Sequence, residues 1–296
     1  MGFHVNNSLP KLLVTGGNSQ LACALRSHPA ATVSTLVSCT KEQLDITHTP
    51  SIKRAIKRYQ PDIIINTAAY TAVDKAEKNQ KQAMQVNDIG AKNLALICED
   101  HHILLIHFST DYVFDGSQAH AYQEIDSTNP INVYGLSKWL GECAIRQHAS
   151  QHIILRISGL FSEYGNNFLK TILHLAHKKN ELQIVYDQIT CPTYAGDVAT
   201  VLFHMMKKLD HFGTYHYCNT PSTSWYDFAI AIMKEARKYS VLPLKKIHSI
   251  TSAQYAALAN RPTCSNLNCD KIYHDYGIAQ SSWQQHVTHV VRKLFL

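Results

Sequence analysis

The sequence predicts an α/β protein, a doubly wound parallel sheet joined to a smaller mixed α/β part, and three observations predict it. Short, β-branched apolar runs alternate with segments of helical period through the first half of the chain, the rhythm of parallel strands and crossover helices. The first of these runs opens into a turn of small residues and then a helix, Gly16-Gly17-Asn18-Ser19-Gln20-Leu21-Ala22. That is the first unit of a dinucleotide-binding (Rossmann) sheet. Past about residue 158 the rhythm becomes irregular, so a unit of different construction follows. The expected division is 1–158 for the dinucleotide-binding domain, with about 190–212 returning to it, and 159–296 mostly for a substrate domain.

Lys11 to Thr15 is the first strand. The turn after it lets backbone N–H groups approach a pyrophosphate at a helix N-terminus. Of its three glycine positions only Gly16 is intact; Ser19 and Ala22 hold the others, and a tight turn without a ligand is the competing reading. Thr32 to Thr40 is the second strand, whose end should meet an adenosine ribose. An acidic residue usually holds a 2′-hydroxyl there, but Thr40-Lys41 stands instead, with Asp45-Ile46 just beyond. Lys41 can pair with a 2′-phosphate, which favours NADP(H) and leaves NAD(H) open; a solvated loop charge is the plainer alternative. A helix from about Pro50 to Tyr59 leads to Asp62-Ile63-Ile64-Ile65-Asn66, a continuous apolar run of the kind buried parallel strands show. It ends in Asn66-Thr67-Ala68-Ala69, where two alanines leave room for a flat ligand.

A helix is expected from about Lys81 to Asp100, then a strand from Ile103 to Phe108 ending in Ser109-Thr110-Asp111-Tyr112. Ligands of such sheets collect at the C-terminal edges of strands. After a linker, Gly116 to Asn129, comes a helix that begins with Tyr134-Gly135-Leu136-Ser137-Lys138. Positions i and i+4 share a helix face, so Tyr134 and Lys138 can point at one small volume. A fixed ammonium lowers the pKa of a nearby phenol, which can then exchange a proton with a carbonyl or alcohol oxygen. With 15 Tyr in the chain, a Tyr-x-x-x-Lys pair arises about once by chance, and a surface lysine one turn from a half-buried tyrosine is the bland reading. Ile153 to Ile157 is a further strand. Helices follow at about Phe168–Lys179, Asp197–Leu209, Trp225–Tyr239 and Trp283–Phe295, with a Pro- and Thr-bearing connection from Asp187 to Asp197.

The 296 residues are 45% hydrophobic and 17% charged, enough for real cores. No apolar run reaches the ~18 residues of a membrane span. Met1 to Pro10 has no stretch of signal-peptide length and reads as a short disordered lead. The eight Cys are scattered without a Cys-x-x-Cys pair, as in a reducing cytoplasm, and imply neither disulfides nor zinc. The net charge of +6 is spread out; it suits an anionic small molecule, whereas nucleic acid would want a basic stripe with interleaved aromatics.

Three segments carry a resemblance: Asn66 to Glu77, Phe108 to Phe114 (Phe-Ser-Thr-Asp-Tyr-Val-Phe) and Asn129 to Lys138 (Asn-Pro-Ile-Asn-Val-Tyr-Gly-Leu-Ser-Lys). Gly165 to Phe168, Thr223-Ser224-Trp225-Tyr226, and Arg261-Pro262 with Leu267 support them. The chain resembles the extended short-chain dehydrogenase/reductases, and more narrowly the dTDP-4-dehydrorhamnose reductase family. The resemblance implies NAD(P)H-dependent reduction of the C4 ketone of dTDP-4-dehydro-L-rhamnose to dTDP-L-rhamnose, a sugar donor for cell-surface polysaccharide such as O-antigen. It implies Thr110, Tyr134 and Lys138 as the catalytic group, with Tyr134 the proton donor and Lys138 on the nicotinamide ribose. Val73, Asp111 and Tyr112 match positions lining the sugar site. Ser19, Gln20, Leu21, Ala68, Ala69 and Thr71 match cofactor contacts, to which Gly16, Asn18, Lys41, Asp45 and Ile46 are added from the turn and the second strand end, and Tyr134 and Lys138 from the catalytic group.

The chain departs from the family pattern at three places. Ser19 replaces the usual second glycine. Gly159 stands where many members carry a tryptophan near the sugar, which leaves a reductase of another dTDP-4-keto-6-deoxy sugar open. Ala24 stands where some members have an acid for a magnesium-linked dimer, so no metal is expected, although a homodimer is admitted. A non-catalytic nucleotide-binding regulatory subunit on the same fold is the alternative from another class. An epimerase or dehydratase shares the Tyr and Lys, but a dehydratase wants Glu after the Thr, where Asp111-Tyr112 stand.

Overall fold

The computed structural model describes residues 10–32 and 34–296. The lead expected over Met1–Pro10 lies outside these residues except for Pro10, as does Val33 of the second strand. The chain runs β1 (Lys11–Thr15), α1 (Gln20–Ser27), β2 (Thr35–Ser38), α2 (Thr49–Tyr59), β3 (Ile63–Asn66), α3 (Val73–Lys78), α4 (Gln80–Met84), α5 (Gly90–Asp100), β4 (Leu104–Thr110), α6 (Val133–His148) and β5 (His152–Ile157). Then follow β6 (Leu160–Phe161), α7 (Phe168–Ala176), β7 (Glu181–Val185), β8 (Ile189–Thr190), β9 (Thr193–Tyr194), α8 (Ala195–Met205), β10 (Gly213–Tyr217), β11 (Thr223–Ser224), α9 (Trp225–Ala236), β12 (Lys246–Ile250), α10 (Ser252–Tyr255), α11 (Asp270–Tyr276) and α12 (Trp283–Phe295).

Six strands form one parallel sheet in the order β10-β5-β4-β3-β1-β2. Every residue of β3 and β4 is buried. Helices cover both faces, which is why Ile63-Ile64-Ile65 does not alternate with polar residues. Leu12, Val14, Ile65, Ile106 and Leu155 pack on one side with Leu25 of α1 and Leu202 of α8. Leu13, Ile64, Leu105 and Ile154 pack on the other with Ile52 of α2 and Leu94 of α5. The order reverses at β1, whose neighbours are β2 and β3, and this opens a crevice at the strands' C-terminal ends. A separate core of Phe161, Leu173, Phe228, Trp283 and Val290 joins α7, α9 and α12. The parallel pair β7–β12 sits beside it.

Two elements differ from their expected form. The helix expected over 81–100 is α4 and α5 separated by a π turn, Gln85–Ile89. The extra residue turns Asn87 inward, where its Oδ1 accepts from Tyr70 N at 2.8 Å and its Nδ2 donates to Tyr70 O at 3.0 Å and Ser137 Oγ at 2.9 Å. Such turns serve local function rather than helix stability. The second strand is only Thr35–Ser38, because a 3-10 turn, Pro29–Thr32, precedes it; proline fixes φ and offers no N–H to a ladder. Among the described residues no helix is long and apolar enough to cross a membrane.

Candidate active site

A cleft of about 1890 Å³ runs from the β1–α1 turn across the C-terminal ends of β3 and β4 to β7, β12 and Trp225. That volume exceeds an ordinary small-ligand pocket of ~300–1,000 Å³ and suits two nucleotide-sized molecules. Gly16, Asn18, Ser19, Gln20, Leu21, Lys41, Asp45, Ile46, Ala68, Ala69 and Thr71 all line it, as do Val73, Thr110, Asp111, Tyr112, Tyr134 and Lys138. The structure therefore brings every residue proposed from the sequence for cofactor, sugar or catalysis to one cleft.

Local chemistry explains the turn at its mouth. Gly16 has φ +63°, and a Cβ there would lie 2.7 Å from Ala68 Cα. Ser19 keeps the turn without being glycine. Its N donates to Gly16 O at 2.8 Å, its Oγ accepts from Ala22 N at 3.1 Å as the cap of α1, and the same Oγ meets Thr67 Oγ1 at 2.7 Å. Gln20 and Leu21 of the first turn of α1 line the cleft, and the free N–H groups that open a helix suit a pyrophosphate. We expect Gly16→Ala to raise the Kd for NADPH at least about tenfold and to lower stability by about 1–3 kcal/mol, as read by fluorescence titration and urea unfolding. Lys41 is exposed at the cleft edge. The Asp45 carboxylate is taken up by Thr47, accepting from N at 2.9 Å and Oγ1 at 2.7 Å.

At the cleft floor Thr110 closes β4. Its Oγ1 accepts from Tyr112 N at 3.1 Å and donates to Asp111 Oδ1 at 3.1 Å. Asp111 is 2% exposed, and its Oδ2 accepts from Ser158 Oγ at 2.7 Å. Burial pushes its carboxyl up despite these hydrogen bonds. Tyr134 lies in the first turn of α6, edge-on to the Tyr112 ring at 6.0 Å. Burial raises its phenol to about 12, which the neighbouring Thr110 hydroxyl only partly offsets.

This corrects the expectation of a phenol acidified by Lys138. Lys138 is 2% exposed, and its Nζ partners are His107 Nε2 at 3.1 Å and Phe108 O at 2.7 Å. Beneath it Glu142 accepts from Arg156 Nε at 2.9 Å and Nη2 at 2.7 Å, and from Arg146 Nη1 at 2.9 Å. Burial alone would raise this carboxyl, yet the two guanidiniums hold it down at about 2.

Two groups of the site were not assigned to it from the sequence, although Arg261 stands in a segment that supports the resemblance. Arg261, from a late loop, donates to Asp74 Oδ2 at 2.6 Å and to Asp74 Oδ1 at 3.2 Å, closing one wall of the cleft. Its partner is 187 residues away, so no local pattern announces it. His107 sits inside an apolar strand and reads there as an interruption. Gly159 lines the cleft with φ +50°. A side chain at that position would start within 3.1 Å of Thr190 Oγ1 and 3.2 Å of Pro192 Cα, so backbone, not an aromatic ring, forms this part of the wall.

The comparisons with known proteins agree with this geometry. The family model described as the RmlD substrate binding domain matches residues 10–295. A dTDP-4-dehydrorhamnose reductase of Aggregatibacter actinomycetemcomitans is 41% identical over 287 residues, covering 94% of this chain and 97% of the relative. A crystal structure of dTDP-4-dehydrorhamnose reductase from Bacillus anthracis in complex with NADP superposes with a TM-score of 0.91 at 32% identity, covering 96% of this chain and 99% of that one. The ortholog from Clostridium acetobutylicum gives a TM-score of 0.91 at 30% identity, over 97% of this chain and all of that one.

Proposed function

The chain belongs to the dTDP-4-dehydrorhamnose reductase family, and on that premise we propose its reaction atom by atom. It is an NADP(H)-dependent oxidoreductase that converts the C4 ketone of dTDP-4-dehydro-L-rhamnose to the alcohol of dTDP-L-rhamnose. NADPH, when bound, supplies a hydride to C4. Tyr134 gives its phenolic proton to O4 as the C=O π bond breaks, so that C4–H and O4–H bonds form together, and solvent later restores the proton. Thr110 turns its hydroxyl from Asp111 to O4 and donates a hydrogen bond. Lys138, when charged, holds the nicotinamide ribose and favours the phenolate that Tyr134 becomes. Val73, Asp111 and Tyr112 border the sugar.

The observation that supports this reading best is the meeting of Thr110, Tyr134 and Lys138 in the crevice onto which the β1–α1 turn opens. That puts a proton source within the reach of one dinucleotide. We assign the cofactor to the six-stranded body, residues up to 158 with 195–217, and the sugar nucleotide to most of the remainder. A cytoplasmic location goes with the reading, since reduced nicotinamides and nucleotide sugars are cytoplasmic metabolites. A homodimer is expected, and sedimentation velocity tests it against the 33.3 kDa monomer.

The functional test is a panel of dTDP-4-keto sugars assayed with NADPH and with NADH by loss of reduced-nicotinamide absorbance. The expected result is turnover with dTDP-4-dehydro-L-rhamnose and NADPH; binding without turnover would favour a regulatory subunit. Lys41→Ala is expected to raise the KM for NADPH about five- to tenfold and to leave that for NADH unchanged, the scale of one exposed charged contact to a 2′-phosphate. An equal change for both cofactors would remove Lys41 from that role.

A further inference from the structure

The proton positions in the chain Thr15–Asn66–His107–Lys138 follow from the donors that fix its far end. Asn66 Oδ1 accepts from Thr15 Oγ1 at 2.6 Å and from Ala68 N at 3.2 Å. Turning the amide over would set its NH₂ against the Ala68 N–H, so the oxygen stays there and Asn66 Nδ2 faces His107 Nδ1 at 2.9 Å. An amide nitrogen only donates, so Nδ1 accepts. A neutral imidazole has one proton, which must then be on Nε2. A doubly protonated ring would oppose two donors, and burial of His107 disfavours it in any case. The Nε2–H points at Lys138 Nζ, 3.1 Å away. An ammonium has no lone pair, so this contact is a hydrogen bond only to an amine, whose own hydrogen goes to Phe108 O at 2.7 Å.

We propose that His107 is a positioning residue that holds Lys138 as an uncharged amine in the free protein, and that Lys138 becomes an ammonium when a nicotinamide ribose offers it acceptor oxygens, so that cofactor binding takes up a proton. The groups facing Lys138 are consistent with this. On its own helix, Tyr134 one turn before is a neutral phenol, and Glu142 one turn after is already matched by Arg156 and Arg146. From β4 comes His107, and from the segment after it Asp111, whose carboxyl burial pushes up. Burial brings the Lys138 ammonium down to about 8, with Glu142 opposing. The consequence is a timed acid. Above about pH 8, where the free amine predominates, Lys138 acquires the charge that favours the Tyr134 phenolate only in the loaded cleft, so the free protein there keeps a phenol with its proton in place.

The inference rests on the NADP(H) reading, and the test separates the two. NADPH binding is measured by isothermal titration calorimetry at roughly pH 9 in buffers of different ionisation enthalpy. At that pH the 2′-phosphate, with a pKa of about 6, stays fully ionised and contributes no proton. The wild type is expected to take up about half a proton or more per cofactor. Lys138→Met is expected to bring the uptake to about zero, and His107→Gln, whose side-chain oxygen can accept from an ammonium, to less than half the wild-type value. Binding without uptake in the wild type, or uptake undiminished in either variant, overturns the proposal; no binding at all would instead strike the cofactor reading. If His107→Gln does not fold, ¹⁵N NMR of the free wild type decides its part, with the His107 signal assigned as the one that moves in Lys138→Met. The Nε2–H tautomer is expected, and Nδ1–H overturns the assignment.

Discussion

Tyr134→Phe lowers kcat for the sugar ketone by about 10²–10⁴-fold, the usual worth of a positioned general acid, and leaves the Kd for NADPH within about twofold. The substitution deletes one oxygen and keeps the ring, so the edge-on contact with Tyr112 at 6.0 Å survives and the cofactor surface is undisturbed. Steady-state kinetics and a fluorescence titration read the two quantities. A kcat within about threefold of wild type would mean that another group protonates O4. Thr110 is then the only other hydroxyl singled out for that oxygen, and it has committed its hydrogen to Asp111 in the free chain.

Arg156→Met lowers the free energy of unfolding by about 3–5 kcal/mol, the cost of leaving a buried charge without its partner. Glu142 is 0% exposed and Arg156 2%, so water cannot replace the lost bidentate contact, and the substitution also removes the guanidinium 5.1 Å above the Phe114 ring. Arg146 remains, but it sits at the surface end with its side chain 36% exposed. The sign of the pH dependence follows from the depressed carboxyl. Its folded value of about 2 lies below the ordinary 4.5, so its contribution is fully present above about pH 4.5 and is lost as pH falls toward about 2. The variant should therefore show both a lower plateau in urea unfolding near neutral pH and a shallower acid limb over that window. A loss under about 1 kcal/mol would mean that Glu142 finds another partner or takes up a proton at little cost.

The parts of this molecule that local chemistry specifies were legible in its sequence. Ile63-Ile64-Ile65 and Leu104-Leu105-Ile106 are apolar on both faces because each strand is covered twice, as β1 and β5 are. Tyr134 and Lys138 sit one helical turn apart, so their convergence is a property of five residues. The strand β10 was not legible: Gly213-Thr214-Tyr215-His216-Tyr217 carries a histidine and two tyrosines. Their polar atoms find partners only in the fold, His216 Nδ1 on Tyr122 O at 3.0 Å and Tyr217 OH on Asp197 Oδ2 at 2.7 Å. The π turn at Gln85–Ile89 is set by what Asn87 must reach rather than by propensity. The state of the phenol was misjudged for a related reason. The i, i+4 spacing brings Lys138 to the right face of α6 but does not say that His107, from β4, has already claimed its Nζ.

The central claim is that hydride from the nicotinamide and a proton from Tyr134 arrive at one carbonyl, and the most direct measurement follows the hydride. Single turnover of the wild type with NADPH deuterated at the transferring position, and with dTDP-4-dehydro-L-rhamnose, should give dTDP-L-rhamnose with one deuterium on C4 by mass spectrometry and NMR. Product carrying no deuterium, or both ligands bound with the reduced nicotinamide unconsumed, would contradict the account.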